Sequence, residues 1–292
     1  MSNMRRKRKA ADILLYGIMV FASLVVGFSL IGIIVYILVQ SAEKLKFSTV
    51  FGSAAESFLP MIAATSMTVV TSLTFALPIG IMTAIYLNEY ARKSSHSIGQ
   101  SLFIGLAIDT LAGIPSIVYG LFGLLLFVRI FNLGQSIAAG GLTLSIMILP
   151  VIIRTTEEAL KTVPVSFREG SLSLGATKLQ TIRHAVLPPA LPGILTAAIL
   201  ATGRVVGESA PILLTVGIAR HLPKSIFEPG RTLTIHLYYL TKEAINPDDF
   251  ALAFTAAAVL IILILIINTM VKIIGMSLGH MTAKSGTWEN ID

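Results

Sequence analysis

The chain of 292 residues contains no cysteine and one tryptophan, and only 13% of its residues are charged against 54% apolar. The missing thiols exclude disulfides, thiolate zinc sites, iron–sulfur clusters and cysteine nucleophiles. The five histidines, His96, His184, His221, His236 and His280, are scattered without ligand spacing and give no pattern for a metal. An ordinary soluble domain carries roughly 25% charged residues. The shortage of charge here, with a mean hydropathy of +0.83, argues against one. Segments of about ten residues with alternating polarity are missing too, which excludes a transmembrane barrel.

What is present is a set of long apolar runs, at about 13–39, 62–87, 102–128, 136–153, 191–217 and 250–275. Each is long enough for a helix that crosses a bilayer. The expected fold class is therefore an all-α polytopic membrane protein with six transmembrane helices. The first run follows MSNMRRKRKA and is too long for the 7–15 apolar residues of a secretory signal, so it reads as an uncleaved span. Six spans put both termini on one side. That side collects about twice as many Lys and Arg as the other, Arg92 and Lys93 among them, and the positive-inside rule makes it cytoplasmic. The net charge of +7 thus reads as topology in a lipid bilayer, with no nucleic-acid partner. Residues 1–59 form the basic N-terminus, first span and outer loop. Residues 60–275 form one core domain, and 276–292 a cytoplasmic tail.

The fifth run contains GRVVGESAPIL, residues 203–213. A charge at mid-span costs about 2.5–3.5 kcal/mol on insertion scales, so it faces protein or a water-filled path. Arg204 and Glu208, four apart, share one helix face. Gly203 and Gly207, also four apart, favour close helix contact. Pro211 frees the carbonyl of Gly207 and predicts a kink. One reading of the pair is a buried ion pair that only fixes helix register. The other is a contact for an anion, since a guanidinium stays charged and donates two parallel hydrogen bonds to an oxyanion. Asp109, six residues before Pro115 in the third run, is the other charge at membrane depth. It can pair with Arg204, with a cation on a partner, or with groups near the cytoplasmic end.

The longest cytoplasmic piece, 154–190, predicts two short helices joined by a sharp turn. Pro164 suits a first helical turn. Gly175 can close that helix with positive φ. Thr177 is a cap for the second helix, and Pro188-Pro189 mark its end. Such a pair either rests on the bilayer as an amphipathic surface or plugs a groove on another protein. GSLSLGAT, 170–177, has two glycines five apart as in a phosphate-binding loop, but Ala176 stands where lysine is needed and no strand precedes it. Energy therefore comes from a partner or a gradient.

The permease subunits of ABC importers carry Glu-Ala-Ala, three residues, Gly, nine residues, then Ile-any-Leu-Pro. This chain is similar, with Glu169-Gly170-Ser171, Gly175 and Ala185-Val186-Leu187-Pro188 at the same spacing. Arg204-Val-Val-Gly207-Glu208-Ser209-Ala210-Pro211 resembles an Arg-x-x-Gly-Glu-Thr/Ser-Ala-Pro pattern of the PstA-type phosphate permeases. LAGIPSIVYGLFG, 111–123, is similar to a stretch of the same family. The resemblance covers about 60–275 and implies the type I (MetI-like) permease fold. It implies that Pro164, Arg168, Glu169, Gly170, Ser171 and Gly175 belong to a coupling loop that docks an ATPase pair. It further implies a PstC-type sister permease, an extracytoplasmic phosphate-binding protein, inorganic phosphate as cargo, and no cofactor in this chain, with ATP-Mg held by the ATPase. Sulfate, molybdate and phosphonate permeases share the architecture and remain open as alternatives. A stand-alone anion carrier would predict inverted repeats, which the sequence lacks. A scaffold or sensor would use the charge pair only structurally.

Overall fold

The computed structural model describes residues 2–52, 57–91 and 97–284, and every regular element among them is helical. His96, Arg92 and Lys93 of the charge reading, and the tail beyond Lys284, lie outside the described residues. Five helices are long and apolar enough to cross a membrane, and a sixth span forms if one bent pair is counted together. In order these are α1 (Ser2–Ser41), α3 (Leu59–Ile85), the pair α4 (Ser97–Gly113) and α5 (Ser116–Gly123), α6 (Ile137–Lys161), α9 (Leu187–Gly207) and α12 (Pro247–Lys284). Short helices join them: α2 (Phe47–Phe51), α7 (Val165–Ser173), α8 (Lys178–Thr181), α10 (Ala210–Thr215) and α11 (Leu233–Glu243).

The centre is α6, the most buried span. Its Ile137, Leu144, Met147, Ile148 and Ile152 form one apolar cluster with Val69 of α3, Val205 of α9 and Ile212 of α10. Small residues let α3 and α6 approach: a Cβ on Gly80 would lie 2.6 Å from Ile152, and one on Gly141 would strike Thr71. Lipid hydrocarbon offers no hydrogen bonds, so hydroxyls at membrane depth find partners in the chain. Those of α3 do so along their own helix. Thr65, Thr68, Thr71 and Ser72 donate to the carbonyls of Met61, Ala64, Met67 and Thr68 at 2.7–2.8 Å. By contrast no residue in the apolar window of α1 is buried, and α1 meets the rest through α12, with Tyr36 edge-on to Phe254 at 5.5 Å.

Two spans differ in shape from the runs marked in the sequence. The third bends by 100° between Leu102–Gly113 and Ser116–Ile130. Pro115 has no N–H and disfavours helical geometry in the residue before it. The carbonyl it cannot serve belongs to Leu111, and the Tyr119 hydroxyl donates to that oxygen at 2.7 Å. The fifth span is longer at its start than expected. Helix α8 passes through a π-helical stretch, Ile182–Val186, directly into α9, so Pro188-Pro189 do not end a helix. Pro188 and Pro189 withdraw two donors. The wider π spacing, with Leu187 N bonded to Ile182 O, carries the chain past them.

Candidate functional site

Helix α9 stops at Gly207. Glu208 is extended (φ −76°, ψ 142°), Ser209 follows, and α10 begins with Pro211 in its first turn. The expected kink at Pro211 is therefore a full break, because Pro211 lacks the donor for the next helical bond and clashes with the carbonyl four residues back. The orphan carbonyl of Val206 is taken by the Thr234 hydroxyl of α11 at 2.6 Å. Arg204 sits in the last turn of α9, where the negative end of the helix dipole favours a cation. Glu208 does not stack on it along a helix. It reaches back from the break, leaving a loose 3.8 Å contact between Nε and Oε1. The Arg204 side chain keeps 36% of its surface exposed and Glu208 18%, so the guanidinium is not sealed in dry protein within this chain.

The two broken spans meet. A Cβ on Gly120 of α5 would lie 2.8 Å from the Pro211 Cα and 3.3 Å from the Ala210 oxygen, so α5 and α10 cross at near backbone contact. Pro115 and Pro211 thus start two short helices that pack on each other, next to Arg204. Gly203 and Gly207 do not make the close helix contact expected of them; the space beside both is open in this chain. Asp109 does not reach Arg204. It pairs with Arg154 of α6, which donates through Nη2 at 2.6 Å and Nε at 3.1 Å. Arg154 also holds the Gly105 carbonyl and Glu157, and Glu157 meets Lys161. This ladder lies in the last turns of α6, which runs on to Lys161 and so takes up the start of the 154–190 segment, and Asp109 ties α4 to α6 instead of joining Arg204.

At that same end α7 and α8 form an elbow. Pro164 caps α7 with extended ψ, and the chain turns at Gly175 with φ +82°, a conformation that glycine adopts freely. Ala176 N bonds to Ser171 O across the turn, and Thr177 with Gln180 builds a reciprocal capping box. The outward side is apolar: Val165, Phe167, Leu172 and Leu174 are all exposed, Leu174 at 91%. Glu169 is exposed, and Gly170 has open space around it, so nothing inside the chain demands glycine there. Ser171 turns inward to Thr181, 3.0 Å between hydroxyls.

Arg168 also points inward. It donates to Glu89 at 2.8 and 3.0 Å and to the carbonyls of Leu160 and Val163 at 2.9 and 2.7 Å. One guanidinium thereby binds α7 to the end of α6 and to the π-helical Tyr86–Tyr90 that closes α3. Sequence reasoning missed Glu89, Arg154 and Tyr119. The signal available for Glu89 was an acid in YLNEY at the end of an apolar run.

Comparisons with known proteins place this geometry. The model of the family described as "Binding-protein-dependent transport system inner membrane component" matches residues 76–279. The chain is similar to the "Probable ABC transporter permease protein YqgI" of Bacillus subtilis (strain 168), 31% identical over 92% of this chain and 96% of that one. It is 36% identical to the PstA homolog of the phosphate transport system of Mycoplasma pneumoniae, over 74% of this chain and 34% of that protein. It is 40% identical to the phosphate transport system permease protein PstA of Mycobacterium leprae, over 66% of this chain and 62% of that protein. The match thus spans about a third and about three fifths of the length of those two PstA relatives. A chain of the MetNI methionine ABC transporter in inward-facing conformations superposes with a TM-score of 0.55 at 21% identity, over 76% of this chain and 93% of that one, which shows a shared fold.

Proposed function

Because the chain belongs to the family of binding-protein-dependent transport system inner membrane components, we propose that it acts as the PstA-type permease subunit of an ABC importer that brings inorganic phosphate into the cell. A permease of this family works beside an ATPase and a substrate-binding protein. Here the sister permease is of PstC type, the ATPase pair binds ATP-Mg, and the binding protein delivers phosphate from outside. On this reading the chain contributes neither a nucleotide site nor a cofactor of its own. Both termini and the α7–α8 elbow are cytoplasmic, and the exposed apolar side of α7 seats in the ATPase. ATP-driven closure there switches the pathway between its outward and inward facings.

The observation that carries the reading is Arg204: a part-exposed guanidinium at the break of an apolar span, held only loosely by Glu208 at 3.8 Å. A closed bidentate pair would leave no donors for cargo, whereas this one can exchange partners. Glu208 repels a bound anion and competes for the guanidinium, which keeps binding weak enough for release. The names of relatives at 36–40% identity support phosphate over the other oxyanions.

The test is ATP-dependent uptake of labelled oxyanions by the assembled complex in proteoliposomes. Arg204→Gln removes charge-assisted hydrogen bonds worth about 1.5–3 kcal/mol, so phosphate uptake drops about tenfold or more while the ATPase still co-purifies. Uptake equal to that of the unaltered complex removes Arg204 from the route. A wild-type complex that carries sulfate or molybdate in preference to phosphate overturns the substrate.

A further inference from the structure

Outside the pathway, a groove of about 500 Å³ runs between the end of the α3 span and the start of the α8–α9 span. Its walls are apolar and aromatic: Met82, Ile85, Tyr86 and Tyr90 on one side, Ile182 and Leu187 on the other. Tyr86 and Tyr90 stack at an interplanar angle of 10°. The groove sits where the Leu59–Tyr90 span ends and the Lys178–Gly207 span begins, toward the membrane–water boundary. Tyrosines collect at that level because one part of the ring is apolar and the other wet.

Arg183 lines the same groove, and the Lys178 ammonium lies 4.0 Å above the Tyr90 ring. Neither cation has a carboxylate within ion-pair distance among the described residues, although Arg154, Lys161 and Arg168 nearby along the chain all do. An apolar trough with one cation in its lining and a second over a lining tyrosine, neither facing a carboxylate, matches one kind of molecule: an aliphatic chain that ends in a negative headgroup. A free anion would leave the trough uncovered, and a zwitterionic lipid would leave the rim charge unmet.

We propose that this groove binds an anionic phospholipid of the cytoplasmic leaflet, with an acyl chain along Met82, Ile85 and Leu187 and its phosphodiester on Arg183 and Lys178. The leaflet assignment rests on the cytoplasmic placement of the elbow given above. Arginine suits the phosphodiester because its planar fork donates two hydrogen bonds to two oxygens. Basic pockets between spanning helices at the cytoplasmic face are a recurrent way to hold such headgroups. The site would tie elbow, α3 and bilayer together at one point.

The test needs no transport assay, so its failure is separate from failure of the phosphate reading. The assembled complex is purified in mild detergent, and added phosphatidylglycerol or phosphatidylcholine is counted on it by native mass spectrometry. The expected result is that phosphatidylglycerol binds in preference and that Arg183→Gln and Lys178→Gln each weaken it about fivefold, the worth of one basic group at an anionic surface. Arg183→Lys retains most of the binding, which separates lost charge from lost fold. Equal retention by the double variant, no preference over phosphatidylcholine, or displacement by inorganic phosphate overturns the proposal. So does cross-linking of a single cysteine at Leu179, on the groove wall, to the ATPase or sister permease, because the groove would then be a seam between proteins.

Discussion

Arg168 serves two masters at once, the Glu89 carboxylate and the last carbonyls of α6. With Glu89 only 9% exposed, removal of its charge leaves a half-buried guanidinium partly unmet. Glu89→Gln is expected to lower stability by about 1–3 kcal/mol, read as a fall in the thermal midpoint of the purified complex. Arg168→Lys should do the same, since a point charge cannot span three acceptors. His236 gives a second residue-scale outcome. It lies on α11, outside the spans, and burial, then the charges of Arg231 and Arg220, push its imidazole down to about 4. Between that value and the ordinary 6.5 the unfolded chain takes up a proton that the folded chain refuses. Stability therefore falls as pH drops from about 6.5 to 4 and levels off below, by up to about 3 kcal/mol. His236→Gln should flatten that slope in a midpoint-versus-pH series, and an unchanged slope would shift the effect to other groups. The sequence made Arg204 and Glu208 readable as neighbours because they stand four positions apart. Arg168 and Glu89 stand 79 positions apart and Arg154 and Asp109 45 apart, and no local spacing reveals pairs that only folding brings together.

At the scale of elements the elbow depends on Gly175 at φ +82°. A β-branched residue is strained there. Gly175→Val is expected to unseat the elbow, with ATPase co-purification lost while the permease still inserts into membranes. Normal recovery of the ATPase with that variant would break the docking assignment. Glycine and proline punctuation made this turn legible. The same punctuation misleads at Pro188-Pro189, where a π-helical stretch absorbs two missing donors and the helix continues. It understates Pro115 and Pro211, since a proline in a sequence announces a disturbance and not its angle. Whether the outcome is a bend of a few degrees or the 100° seen here is decided by what packs in the gap: Tyr119 on the Leu111 carbonyl, and Gly120 against Pro211.

For the whole molecule, hydropathy alone located the five long spans and the bent pair, because a bilayer sets a minimum apolar length for every crossing. The packing order was out of reach of that signal. Nothing in mean hydropathy says that α6 is central while α1 stands at the edge. The orientation is open to a direct check, and the absence of cysteine gives it a clean background. Leu174 and Ile245 are 91% and 87% exposed, in two connecting regions that the proposed topology puts on opposite sides. In intact cells a membrane-impermeant maleimide should label Ile245→Cys and spare Leu174→Cys until the membrane is opened. The reverse pattern would invert the topology.

The grip of Arg168 has a mechanical corollary. A lever held at one point swivels, and its stroke is spent in the pivot. Helix α7 is held at two, by the floor of the central span and by the foot of α3, so a push from the proposed ATPase would not be absorbed by the elbow alone. It would reach both columns together, as a rocker arm moves two valves.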